Sequence, residues 1–161
     1  GSEIVDGEAG DDFTAVARPG RLSDDTLKTL TQTHLGDLGV RGDDMVTVIK
    51  KESSGDPTAE NPSGARGLFQ FMPTVAREYG VDDVSELSVN EQFQLMGAYL
   101  KKWKYNAGDP IGIYVAAPAH ASKPDSTVVY KKGSRAWKQN KGWRPAGGGD
   151  ITVGSMKEFY S

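Results

Sequence analysis

The sequence of 161 residues contains no cysteine and only two histidines, His34 and His120. The lack of cysteine excludes disulfides, thiol nucleophiles and thiolate metal sites together. Two histidines far apart in the chain leave little basis for a zinc site or a Ser-His-Asp triad. Any chemistry must therefore rest mainly on carboxylates, hydroxyls, amides and backbone groups.

Long apolar runs and an excess of positive charge are also missing. No segment approaches the ~18 consecutive apolar residues that a membrane-spanning helix requires. The chain carries 19 basic against 22 acidic residues, which argues against nucleic acid as a partner because phosphate binding normally needs an excess of Lys and Arg. The hydrophobic fraction of 37% is enough for a core, and the length is that of one domain.

Composition divides the chain into an arm and a domain. Residues 1–20 are acidic and contain several glycines, so we interpret them as a flexible acidic arm. This stretch lacks the basic start and apolar middle of a secretory signal. Residues 21–161 are expected to form a single domain, and the 20 glycines and 8 prolines of the chain predict that it is rich in loops.

Capping residues and apolar spacing predict helices over about 23–36, from Gly42 or Asp43 to just beyond Glu52, from Pro73 to about 79, and over 90–103. Gly97 in the last of these predicts a close helix crossing. An apolar segment follows at 111–117. The tail from Lys131 onward has too weak a period to be assigned, although Met156, Phe159 and Tyr160 could pack a terminal helix against the core.

Glu52 is a candidate catalytic residue because it shares one predicted helix face with the apolar residues Met45, Val48 and Ile49. A loop with several Gly and Pro residues follows it, and we expect that loop to fold back over the carboxyl group. Desolvation would raise the pKa of Glu52, as a general acid near neutral pH requires. The alternative is a helix-terminal glutamate paired with a nearby Lys or Arg.

The stretch from Glu52-Ser53 through Gly64-Ala65-Arg66-Gly67-Leu68-Phe69-Gln70-Phe71-Met72-Pro73 closely resembles the first signature of lytic transglycosylases of the soluble-lytic, goose-lysozyme-like type. The resemblance implies a mainly α, lysozyme-like helical domain with long loops, a motif-bearing core over about 40–130 and a divergent tail over 131–161. It makes Glu52 the single catalytic acid/base and gives Ser53 a supporting role. Asn61, Gln70 and Met72 correspond to positions near the bound glycan.

Later signatures are weaker. Gly97-Ala98-Tyr99-Leu100 is similar to a scaffold helix of the family. The family's substrate tyrosine has two counterparts: Tyr105 begins the literal Tyr-Asn-Ala-Gly match but follows that helix too soon, so we favour Tyr114, whose alternative is a core aromatic. Tyr130 is a further candidate cleft residue, although Ser126 replaces the family's glutamate there.

The tail carries features that the resemblance does not cover. Residues 123–144 contain seven basic residues against Asp125 alone, so this segment could attract an anionic polymer or simply be a solvated surface. Trp137 and Trp143 could be platforms on which sugars stack, or they could fill the core.

The resemblance implies cleavage of the β-1,4 bond between N-acetylmuramic acid and N-acetylglucosamine in peptidoglycan, with a 1,6-anhydromuramic acid product and without cofactor or metal. Alternatives are a hydrolytic muramidase on the same fold, an endopeptidase of the peptide cross-links, or a non-catalytic glycan-binding virion module.

A short domain with an acidic arm and a basic tail also resembles a virion-associated lysin of a bacteriophage, such as an enveloped double-stranded RNA phage. We then expect a monomer that acts on peptidoglycan glycan strands in the host periplasm and that could associate with other virion proteins.

Overall fold

The structure, a computed structural model, describes residues 20–161, so the predicted acidic arm lies, except for Gly20, outside the described residues. Seven α-helices and two short strands are found in this part of the chain. The helices are α1 (Asp24–Leu35), α2 (Gly42–Ser53), α3 (Pro73–Arg77), α4 (Val89–Lys102), α5 (Ile111–Ala116), α6 (Arg135–Gln139) and α7 (Val153–Phe159). The strands are β1 (Val128–Tyr130) and β2 (Ile151–Thr152), and single 3-10 turns span Gly36–Leu38, Val84–Glu86, Pro118–His120 and Lys141–Trp143.

The four predicted helices are confirmed within a few residues. Ser23 caps α1 by accepting a hydrogen bond from the backbone nitrogen of Thr26, and Pro73 occupies the first turn of α3. The helix α2 ends at Ser53, and the residue that turns the chain out of it is Ser54, with φ of 57°. The left-handed turn therefore begins at a serine and continues through Gly55, whose φ is 79°.

Helices α1, α2 and α4 enclose the core. Helix α1 packs on both of the others, and its Leu27 and Leu35 are fully buried with Phe93 and Met96 of α4. At Gly97 a Cβ atom would lie 3.5 Å from Leu35 Cδ2, which is ordinary contact distance. Helix α1 thus crosses α4 at Gly97, as predicted, but the packing leaves room for a Cβ atom there.

The loop between α2 and α3 is anchored to α4 by hydrogen bonds with the Gln92 side chain. The Gln92 side chain donates to Pro57 O at 2.9 Å and accepts from Leu68 N at 2.8 Å, and the residue is 2% exposed. A Cβ atom at Gly67 would lie 2.6 Å from Gln92 Oε1, so this position needs glycine. A buried amide that satisfies two backbone groups fixes the loop against the helix.

The C-terminal tail packs back onto the helices. Strands β1 and β2 form an antiparallel pair, and Thr152 then begins α7 as part of a capping box with Ser155. Helix α7 lies against α5, with Met156 fully buried and Tyr160 6% exposed, as the apolar residues of the tail suggest. Between residues 20 and 161, no helix has both the length and the apolar character needed to cross a membrane.

Candidate active site

Glu52 lies in the last turn of α2 and is partly buried. The Tyr160 hydroxyl, just beyond α7, donates a hydrogen bond to Glu52 Oε2 at 2.5 Å. Trp143 Nε1 in turn donates to the Tyr160 oxygen at 3.2 Å. Two residues of the tail thus fix the position of one carboxyl oxygen.

Burial raises the pKa of Glu52, and the hydrogen bond from Tyr160 lowers it by less. The pKa of Tyr160 is raised by burial and by the negative charge of Glu52, so Tyr160 keeps its proton and stays the donor. Glu52 Oε1 has no hydrogen bond from the described residues. The carboxyl group therefore holds a proton more tightly than usual and has one oxygen left for a ligand.

A cavity of about 210 Å³ opens beside the carboxyl group. It is lined by Lys51, Glu52, residues 139–143, Phe159 and Tyr160. No residue of the loop from Gly55 to Pro73 lines this cavity, and the hydrogen bond to Glu52 comes from the tail. That the loop covers Glu52 stays a prediction. Desolvation itself, the physical effect expected at Glu52, is found.

A partly buried glutamate whose pKa is raised, beside a small cavity, is an arrangement that suits general acid catalysis. The family model described as the transglycosylase SLT domain matches residues 37–117. The chain belongs to this family of peptidoglycan-cleaving lytic transglycosylases, whose fold is lysozyme-like and mainly α. No curated protein matches the sequence.

The match to the SLT domain ends before several residues of the cavity. Glu52 lies inside the matched segment, whereas Trp143 and Tyr160 lie beyond residue 117. The tail thus completes a site whose glutamate comes from the SLT domain proper.

Ser53 links the end of α2 to the loop that carries the rest of the signature. Its hydroxyl lies 2.9 Å from Leu68 O and 3.1 Å from Ile49 O, and the residue is 8% exposed. The contact joins the end of the helix that carries Glu52 to the following loop, which is consistent with the predicted supporting role of Ser53.

Asn61, Gln70 and Met72 lie in the loop, and none of their hydrogen bonds is with Glu52. Asn61 Oδ1 accepts from the backbone nitrogens of Ser63 and Ala65. The Gln70 side chain donates to Ala59 O and Gly67 O and stabilises its own left-handed backbone, with φ of 55°. Met72 is 40% exposed. The two amides shape the loop, and Met72 offers apolar surface; their contact with glycan stays a prediction.

Tyr114, the favoured candidate for the substrate tyrosine, lies in α5 and is largely buried. It is 7% exposed, its hydroxyl donates to Asp109 Oδ2 at 2.8 Å, and its ring packs edge-on against Tyr105. Burial, followed by the hydrogen bond to Asp109, raises the pKa of Tyr114 to about 12. Gly112 of the same helix faces Tyr160, and residues two apart on a helix point about 200° apart. Tyr114 therefore points to the side of α5 away from Tyr160, where its hydroxyl meets Asp109, and its contact with substrate stays a prediction.

Tyr130 is connected to the cavity through Trp143, which lines it. Its ring stacks on that of Trp143, with centroids 6.2 Å apart and planes 9° apart, and Trp143 contacts Tyr160. Trp137 is covered by the Arg144 guanidinium, 3.7 Å from the ring centroid. Both tryptophans are partly buried, so they stiffen the tail beside the cavity.

Tyr160 is the site residue that sequence reasoning missed as a partner of Glu52. It was expected only to pack on the core. The sequence feature that indicates its position is Gly112, a glycine within an apolar helix. A Cβ atom there would lie 2.3 Å from Tyr160 Cβ.

Among residues 20–161, no group of three or more His, Asp or Glu residues is arranged to hold a metal ion.

Proposed function

We propose that the chain cleaves the β-1,4 bond between N-acetylmuramic acid and N-acetylglucosamine, with Glu52 as the single acid/base, and closes a 1,6-anhydro ring on the muramic acid. The observation that carries the proposal is the state of Glu52: burial raises its pKa, Tyr160 fixes one oxygen, and the other oxygen has no hydrogen bond from the described residues. Membership of the SLT family supports the choice of peptidoglycan.

The first half of the reaction uses protonated Glu52. Oε1 gives its proton to the glycosidic oxygen as the bond from that oxygen to C1 of muramic acid breaks, which frees the 4-hydroxyl of N-acetylglucosamine. The neighbouring N-acetyl oxygen stabilises the positive charge that develops at C1. Tyr160 keeps its hydrogen bond to Oε2, and this bond strengthens as the carboxyl group becomes a carboxylate.

The second half uses the carboxylate just formed. It takes the proton of the muramic acid 6-hydroxyl while that oxygen bonds to C1, so Glu52 returns to its protonated state and no water is consumed. A single carboxyl group can serve both steps because its raised pKa lets it exchange a proton near neutral pH.

Product analysis on purified sacculi tests the proposal. We expect soluble muropeptides with 1,6-anhydro ends, each lighter by one water than the corresponding reducing product, as measured by mass spectrometry. Reducing ends would assign the chain to the hydrolytic muramidases, and cleaved cross-links with intact glycan would assign it to the peptidases. Binding to sacculi without any release would leave only a glycan-binding module.

The biological setting that we propose is a bacteriophage virion, with action in the periplasm of the host. The support is the divergent basic tail, which lies beyond the family match. Detection of the chain in purified virions by mass spectrometry would test this assignment, and its absence from them would exclude it.

Removing the Tyr160 hydroxyl should shift the pH dependence of the reaction. In Tyr160→Phe the hydrogen bond that lowers the pKa of Glu52 is lost, so this pKa rises further. Because the reaction starts from protonated Glu52, the alkaline limb of the pH profile should move to higher pH. Activity at the optimum should fall about tenfold, the loss that corresponds to ~1.4 kcal/mol of positioning.

Tyr79→Phe is the matched control, because the buried Tyr79 hydroxyl has no hydrogen-bond partner among the described residues. Its pH profile should coincide with that of the parent chain. An alkaline limb of Tyr160→Phe that stays in place, or that moves to lower pH, would contradict the role given to Tyr160.

A further inference from the structure

Two lysines line the same cavity as Glu52. Lys51 precedes the glutamate in α2, and Lys141 begins the 3-10 turn of the tail. Both are exposed, and neither forms an ion pair with the residues that the structure describes. Lys51 Nζ lies 4.7 Å from the centroid of the Phe159 ring, so its cation is held at the cavity wall.

The remaining lining offers little negative charge to neutralise these cations. Glu52 is the only acidic residue among those that line the cavity, and burial favours its neutral form. The amides of Gln139 and Asn140 lie in the same wall. A cavity mouth with two uncompensated cations favours a ligand that carries anionic groups next to the reacting sugar.

Two other basic residues of the tail are engaged in contacts of their own. The Arg144 guanidinium covers the Trp137 ring and donates to Trp137 O and Lys138 O, and Lys157 pairs with Asp125. The overall excess of basic residues over 123–144 therefore does not act as one uniform surface. Of this segment, Lys141 is the basic residue that reaches the cavity lining.

The chemistry of the substrate indicates which anions these lysines meet. N-acetylglucosamine is neutral, and the lactyl carboxyl of muramic acid is consumed in the amide bond to its stem peptide. The negative charges of an intact strand therefore come from the free carboxylates of the stem peptides. Such carboxylates would lie beside the muramic acid whose bond is cleaved.

We propose that Lys51 and Lys141 form a cationic rim that binds the stem-peptide carboxylates, so that the site selects glycan with charged peptides. The inference rests on peptidoglycan being the substrate, as argued above. The rim acts on binding and on the choice of strand, whereas the chemical step depends on Glu52.

The test measures equilibrium binding to insoluble sacculi, with Glu52→Gln as the parent so that the sacculi are not digested. Two batches are compared: native sacculi, and sacculi whose free carboxylates have been converted to amides with a carbodiimide and ammonia. The rim variant carries Lys51→Gln and Lys141→Gln in addition to Glu52→Gln. We expect it to bind native sacculi about fivefold to tenfold more weakly than the Glu52→Gln parent. On amidated sacculi the two proteins should bind equally.

Lys101→Gln/Lys104→Gln is the matched control, because it removes the same charge at two exposed lysines that do not line the cavity. It should bind both batches as the parent does. Added salt should weaken the binding of the parent to native sacculi more than that of the rim variant.

Equal binding of the rim variant and the parent to native sacculi would overturn the inference. An equal loss on native and amidated sacculi would also overturn it, since the lysines would then act on the sugar or on the fold. The proposed function is judged separately, by release of fragments from sacculi by chains that retain Glu52. Failure of that release would leave the binding comparison valid.

Discussion

Glu52→Gln is expected to abolish the release of soluble fragments from sacculi, with a rate loss of about 10²- to 10⁴-fold. Glutamine can still accept the hydrogen bond from Tyr160, but it can neither give a proton to the glycosidic oxygen nor take one from the 6-hydroxyl. Release of soluble muropeptides, followed by chromatography at several pH values, measures the effect. The same assay on Glu86→Gln, an exposed glutamate on the turn Val84–Glu86, should give the parent rate.

The same variant should retain its fold and gain stability at neutral pH. The folded-state pKa of Glu52 is raised, so its contribution to stability is fully present below the unfolded-state pKa and is lost as the pH rises through the folded-state value. Each unit of elevation corresponds to about 1.4 kcal/mol. Urea unfolding at acidic pH and at pH 8 should show a gain for Glu52→Gln over the parent that is larger at pH 8.

Substantial activity in Glu52→Gln, with wild-type circular dichroism, would refute the assignment of Glu52. A gain in stability that does not depend on pH would instead leave the activity result standing. It would show that the pKa of Glu52 is not raised in the folded state.

Gly112→Ala should have the second largest effect, because the new Cβ atom would lie 2.3 Å from Tyr160 Cβ and 2.4 Å from its Cγ. The backbone fixes the position of the Tyr160 Cβ atom, which no side-chain rotation can move, so the chain at the end of α7 must shift away from α5. Overpacking of this type costs about 1–3 kcal/mol. This cost equals or exceeds the ~1 kcal/mol by which alanine favours a helix over glycine.

We expect Gly112→Ala to lower the urea midpoint and to reduce activity at least as far as Tyr160→Phe does, because Tyr160 is displaced from Glu52. Gly147→Ala is the control, since no atom lies within 4 Å of a Cβ atom there and its φ is not positive. Parent-like activity and stability in Gly112→Ala would show that the contact between α5 and α7 does not position Tyr160.

The parts of the site that could be predicted from the sequence are those set by neighbours along the chain. The end of α2 after Glu52 follows from local turn residues, and the place of Glu52 on the apolar face follows from helical spacing. The signature from Glu52 to Pro73 also indicates the family, which the match over residues 37–117 confirms. Each of these features depends on residues that lie close together in the sequence, within about two helical turns or one loop of each other.

The parts that could not be predicted depend on packing between distant elements. Tyr160 lies 108 positions from Glu52, and nothing in the spacing of the tail specifies that its hydroxyl meets a carboxyl group. Gln92 is similar: it is a polar residue in α4 that is buried because two loop backbone groups meet its amide. Tyr114 is a further case, because its motif does not reveal that its hydroxyl meets Asp109 and its ring meets Tyr105.

The contact between Tyr160 and Glu52 also bears on when the chain becomes active. Bringing together two residues 108 positions apart carries an entropy cost that is offset only when the tail docks on the helices. Before docking, Glu52 would be hydrated and ionised at neutral pH, and it could not act as an acid. A chain that is still folding, or one in which α7 has detached from α5, should therefore not cleave peptidoglycan.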